Sequence, residues 1–440
     1  MERLVQKIDD LSVTVDALGI NWVPVICSLL VSVQLFETYL DYREYIALSN
    51  EDVPIQLKDH VDKKQILKSS EYAKAKLMFK GSEKLYRLAI QLAFYKFGVY
   101  ALEWAFATKL HIGGTSEIWS SIMFAIVSSI LDVVMGLPWG YYQQFTIEEK
   151  FGFNKSTPAL FFTDTIKNTL LQMVFSAMLF APLGLIIDYF GNRFFIYAAI
   201  LVVVFSIVMS LLAPMIIKPL FNKYEPLEDG PLKTSINNLA AQLKFPLKDI
   251  YIEDSSKRTG HSNAYFIGLP WYKQIVLFDN LKNSCSVEEV TAIVAHELGH
   301  WKLYHIPRQL FFNSLTILAL FTLFSLVINN KSLYASVGLS EPHWIVGLFL
   351  FSDLMSPVAA PLKFLALSVT RKFEYDADKF ASELGLGQNL ANGLISITKE
   401  NLGSLHTDPI YSAYHHSHPL LPDRLSALDV QIAKQAKKQK

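Results

Sequence analysis

Apolar residues in this chain come in long blocks, not at the one-sided spacing of a helix packed on a soluble core. A transmembrane helix needs about 20 mostly apolar residues. Seven blocks reach that length: Ile20–Leu40, Leu85–Ala107, Ile118–Gly140, Asn168–Phe190, Phe194–Ile217, Gln309–Ile328 and Trp344–Val369. Phe194–Ile217 has no charged residue, and Asn168–Phe190 has only Asp188. The blocks predict an all-α, polytopic membrane protein with seven transmembrane helices. Pro357 and Pro361 should bend the seventh. Two long stretches lie outside the blocks, Lys218–Arg308 and Thr370–Lys440. The pattern therefore divides the chain into 1–217 (five spans and their loops), 218–308 (first part of an extramembrane unit), 309–369 (two spans) and 370–440 (second part of that unit). Within the first part, Asp249–Glu253, Asn263–Gly268 and Lys273–Leu281 read as short strands around turns at Gly260 and at Gly268-Leu269-Pro270.

Composition agrees with the pattern. Of 440 residues, 51% are hydrophobic and only 18% charged, whereas a soluble domain carries about 25% charged residues. Forty Lys+Arg balance forty Asp+Glu, so capture of nucleic acid by bulk charge is excluded as a function class. Two cysteines, Cys27 and Cys285, cannot build a disulfide framework. Basic residues set the expected orientation. The loop after the first span carries Arg43, Lys58, Lys63, Lys64, Lys68, Lys74, Lys76, Lys80 and Lys84, while Lys109, Arg193 and Lys331 stand alone in the even loops. The odd loops and the C-terminus are thus expected in the cytoplasm. The chain ends Lys437-Lys438-Gln439-Lys440, a dilysine pattern like those that return proteins to the endoplasmic reticulum. Lys96, Glu103, Asp132, Asp353 and Lys363 fall at or near membrane depth. Charges there face an internal cavity or pair with one another.

The chemistry centres on one helix. Ser286 followed by Glu289 begins a capping box, and Val290, Ile293, Val294 and Leu298 recur at helical spacing. His296 and His300, four apart, leave one face of that helix and can share one zinc ion. Glu297 stands beside the open coordination position, where it can take a proton from water. A third ligand is required. Glu374 and Asp378, also four apart, share a helix face downstream. Glu374 can complete a His2Glu site, and Asp378 can fix the tautomer of a ligating histidine. Asp376 is expected to pair with Arg371 or Lys372. Asn263 could bind a peptide backbone beside a strand edge open to an extended substrate. Any of His415, His416 and His418 could steady an oxyanion, with Arg424 nearby. His261 and His305 read as local structure.

At these residues the chain resembles the type I CaaX prenyl endopeptidases. The likeness rests on Phe145-Thr146-Ile147-Glu148-Glu149-Lys150-Phe151-Gly152-Phe153-Asn154, Pro219-Leu220-Phe221-Asn222-Lys223-Tyr224, His261-Ser262-Asn263-Ala264-Tyr265-Phe266, the His296 helix, Glu374 to Asp378, and His418-Pro419 with Arg424-Leu425. The resemblance implies an α-barrel of seven spans around a large chamber. A mainly helical zinc metalloprotease domain with a small hairpin or sheet would cap it. It implies zinc on His296, His300 and Glu374, with Glu297 as general base. Asn263, His418 and Arg424 would contact substrate, His418 rising above His415 and His416. It also implies a monomer in the endoplasmic reticulum membrane, and in some relatives the inner nuclear membrane. Such an enzyme removes the last three residues of a prenylated CaaX protein, in some relatives with a second, upstream cut. Two other readings stand beside it: a membrane quality-control zinc protease of the HtpX type, and a seven-span receptor or transporter with an incidental metal site.

Overall fold

The computed structural model describes residues 2–110, 116–269 and 271–438. Pro270 of the expected turn and the last two residues of the dilysine tail lie outside them. The architecture is mainly helical with one small sheet. Four helices are long and apolar enough to cross a membrane: Trp22–Ala47, Glu117–Phe151, Pro158–Leu220 and His305–Phe324. The third turns back on itself at Gly191–Arg193, so that Leu179 and Val202 line the same apolar cavity. A fifth span forms if the bent pair Trp344–Leu354 and Ser356–Glu400 counts as one.

Two blocks differ from a straight span. The second is split between helices Lys63–Lys96 and Val99–Ala107 by Gly98, whose φ of 63° is left-handed. The seventh is bent by 65°, and the break precedes Pro357. Pro357 then sits in the first turn of helix Ser356–Ala381, where its missing N–H costs nothing, and the helix runs on through Pro361. The three membrane-depth carboxylates find partners. Arg87 pairs with Asp132 at 2.9 Å, Tyr95 donates to Asp353 at 2.6 Å, and Ser128 donates to Glu103 at 2.9 Å. Arg87, Gln91, Glu103 and Asp132 line one cavity of about 250 Å³.

Apolar packing falls into two large clusters. One joins Ile26, Tyr95, Trp104, Phe124, Phe194, Phe324 and Ile345 across the long helices. The other joins Ile236, Leu277, Val290, Leu298, Leu390 and Leu428, and takes in Leu57, Val61 and Ile66 from the loop after the first span. A small third cluster joins Tyr72, Phe79, Ile147, Phe151, Phe153 and Leu402. Helix Lys63–Lys96, 34 residues long, contributes to all three through Ile66, Tyr72 and Tyr95.

The two ends of the bundle are distinct. At one, Ser332 ties Trp22 and Asp16 together, and Asn192 donates to Asp9. At the other, Asn154 bridges Thr259, Arg258 pairs with Asp164, and Arg43 pairs with Asp408. The loops expected on one side of a membrane and those expected on the other thus make separate sets of contacts.

The sheet has the order β1-β2-β4-β3, with β1 Tyr224–Pro226, β2 Leu247–Glu253, β3 Ala264–Leu269 and β4 Tyr272–Phe278. β2 and β4 run parallel, and β3 closes an antiparallel hairpin on β4 as an edge strand. Gly268, at φ 109°, is required there, because a Cβ would stand 2.2 Å from the Tyr272 carbonyl oxygen. The expected third strand stops at Phe278, three residues early. Helix Asp279–Ser284 begins there, with Asp279 accepting hydrogen bonds from Ser255 and from the Asn280 N–H.

Candidate active site

Helix Val287–Lys302 starts with a complete capping box between Ser286 and Glu289. Its Val290, Ile293, Val294 and Leu298 are buried in the second cluster, which leaves His296, Glu297 and His300 facing helix Ser356–Ala381. Gly299 permits this approach. A Cβ there would meet Ala377 Cα at 3.2 Å and Phe380 at 3.1 Å. Gly299→Ala should therefore force the two helices apart, at about 1–3 kcal/mol of stability. It should also lower the metal content per chain, measured by elemental analysis beside a melting curve. A variant that melts and binds metal like the parent would show that this contact is not what sets the spacing.

Three ligand atoms converge. His296 Nε2 lies 3.2 Å from His300 Nε2 and 3.5 Å from Glu374 Oε2, and His300 Nε2 lies 3.4 Å from Glu374 Oε1. Ligands about 2.0–2.1 Å from a tetrahedral ion are separated by about 3.3–3.4 Å, so the spacing fits a zinc-sized ion. Electrostatics agrees. Burial works against charge on His296, but hydrogen bonding to Asp378 and Glu374 prevails and pushes its imidazole up to about 9. The pocket is built to hold positive charge.

Each histidine is oriented through its other nitrogen. His296 Nδ1 lies 2.8 Å from Asp378 Oδ1. His300, with Nε2 turned to the cluster, has Nδ1 2.9 Å from His305 Nδ1. His305 is buried and stacked on Phe373 at 4.1 Å. Arg424, expected at the substrate, is instead buried and forked onto Asp378, with Nε 2.8 Å from Oδ2 and Nη2 2.6 Å from Oδ1. Glu297 lies on the same turn as the ligands, and burial pushes its carboxyl up.

His418 is the one member of its trio that reaches the cluster, with Nδ1 2.8 Å from Glu374 Oε2 and a side chain 63% exposed. His415 turns to Glu37 at 3.7 Å. The pairing expected for Asp376 is absent among the described residues. Arg371 instead donates to the carbonyls of Ala413 and His416, both at 2.9 Å, because its guanidinium reaches the loop that carries His418. That grip was not readable from spacing. Asn263 is exposed at the start of β3, where its side-chain oxygen accepts the Ala264 N–H at 2.8 Å. Among the described residues no contact joins it to the cluster. His261 stacks on Phe153 at 4.1 Å, away from the ligands.

Comparison with known proteins agrees in both halves. Residues 43–223 match the family of CaaX prenyl protease N-terminal regions with five membrane helices, and residues 226–432 match peptidase family M48. CAAX prenyl protease 1 of Saccharomyces cerevisiae is 38% identical over 96% of this chain and 98% of its own length. The homologue from Arabidopsis thaliana is 35% identical over 94% and 98%. The crystal structure of S. mikatae Ste24p superposes with a TM-score of 0.89 at 40% identity, covering 93% of this chain and 99% of that one. With matches that span nearly its whole length, and a capped helix whose two histidines converge with Glu374 as a metal ion would require, the chain belongs to the CaaX prenyl protease 1 family of membrane metallopeptidases.

Proposed function

We propose that this chain is a zinc endopeptidase that removes the last three residues of prenylated, chiefly farnesylated, CaaX proteins. The observation that carries the reading is the tetrahedral spacing of His296, His300 and Glu374 beside Glu297. His296, His300 and Glu374 hold the ion. When bound, zinc supplies Lewis acidity that polarises a carbonyl and eases loss of a proton from water. The Glu297 carboxylate accepts that proton as the water oxygen bonds to the scissile carbon. It then delivers the proton to the amide nitrogen as the C–N bond breaks. His418 keeps Nδ1 on Glu374 and turns its exposed ring edge to the carbonyl oxygen as charge develops there. Arg424 and Asp378 position His296. Substrate backbone extends the sheet along the free edge of β3, with Asn263 at its start.

The same reading completes the architecture as seven spans in an α-barrel, with the broken second and seventh segments each crossing once. The parts are 1–217, 218–308, 309–369 and 370–440, the second and fourth forming the protease domain. Separation of odd and even loops supports a cytoplasmic active site and C-terminus, and the basic tail supports the endoplasmic reticulum membrane, in a monomer. The test is mass spectrometry of a CaaX peptide, farnesylated or not, incubated with the zinc-loaded protein. Loss of three residues from the farnesylated peptide alone is expected. Cleavage that ignores the lipid would favour a quality-control protease instead.

A further inference from the structure

Helix Ser356–Ala381 carries more than Glu374. Lys363 precedes Glu374 by 11 residues, about three full turns, so both leave the same helix face about 16 Å apart. Every residue from Pro361 to Ala366 is exposed, more than one turn on all sides. Charged side chains inside a membrane face a water-filled cavity or meet a partner group. The Lys363 ammonium lies 4.5 Å over the ring of Tyr414. Among the described residues no carboxylate pairs with it. The nearby Glu37 and Asp41 are both held by Lys84, at 2.8 and 3.0 Å.

The Tyr411–His418 segment lies along this face. Tyr414 meets Lys363, Arg371 holds the carbonyls of Ala413 and His416, and His418 meets Glu374. The segment and the helix thus run side by side from an unpaired cation to the His296, His300 and Glu374 cluster. Three extended residues span at most about 10–11 Å, so the released fragment covers about two thirds of the 16 Å between the two positions.

We propose that Lys363 binds the C-terminal carboxylate of the substrate and so fixes the length of the released fragment at three residues. The proposal rests on the peptidase reading above and adds the residue that measures. A charge-assisted bond of this kind should be worth about 10- to 100-fold in kcat/KM. The test compares a farnesylated CaaX peptide ending in a free acid with the same peptide ending in an amide.

Wild type should prefer the acid by that factor. Lys363→Met should lose the preference by slowing only the acid, and Lys363→Arg should keep most of it. Zinc content shows that each variant is folded, and Lys363→Gln repeats the test if the Met variant is not. Equal rates on acid and amide in wild type would overturn the proposal, as would an acid preference that survives in Lys363→Met. So would a parallel loss on both peptides, which marks a structural role. If zinc-loaded wild type cleaves neither peptide, the peptidase reading itself fails, and the assignment of Lys363 falls with it.

Discussion

Glu297→Gln is expected to keep its metal and to lose turnover by about 10²- to 10⁴-fold, the usual contribution of a positioned base. Glutamine fills the same volume but cannot accept a proton. The three converging atoms belong to His296, His300 and Glu374, so the ion does not depend on Glu297. Burial raises the Glu297 carboxyl, which makes it a better proton acceptor once ionised. Zinc per chain and the rate of fragment release, measured on the same preparation, separate the outcomes. A Gln variant as fast as the parent removes Glu297 from the reaction. A variant that arrives without metal would make it a ligand.

Arg424→Met should be the most damaging change for stability. The guanidinium is buried; two of its bonds go to Asp378, itself 2% exposed, and it also lies 3.4 Å from His296 Nδ1 and 3.7 Å from Glu374. Removing it leaves the buried Asp378 carboxylate with His296 but without its only full counter-charge among the described residues, which costs about 3–5 kcal/mol. The same loss loosens the group that orients His296, so metal affinity should fall by about 10- to 100-fold. Melting of the protein in detergent, with and without added zinc, reads both effects. Adding Asp378→Asn to Arg424→Met should recover part of the stability, because the stranded charge is gone, but not the metal affinity. A single variant that melts like the parent would mean that Asp378 finds other compensation.

The helix of the candidate site was legible because its signals are local. The capping box, the four-residue spacing of His296 and His300, and that of Glu374 and Asp378 are all set by helix geometry. The long apolar blocks were legible for the same reason. What escaped depends on contacts between distant segments. Nothing near Arg424 in sequence says that it folds under Asp378, and nothing near His305 says that its ring meets His300. Arg371 has acidic residues close by in sequence yet spends its donors on backbone carbonyls some 40 residues later. Block length also hid the break at Gly98, since one left-handed residue stops a helix without changing its hydropathy. The loop after the first span read as a basic connector. Most of it is helix, because Ile66 and Tyr72 find apolar partners that the sequence does not bring near.

That helix also limits how the molecule moves. At 34 residues it is about 50 Å long, and helices of this kind curve only gently. One end is cemented into the protease core through Ile66 and the other into the bundle through Tyr95. It acts as a tie-rod: tilting the catalytic cap like a lid would have to bend the rod or pull an anchor out of its core. Tilting of the protease core against the bundle should therefore be small, because both anchors lie in packed apolar clusters.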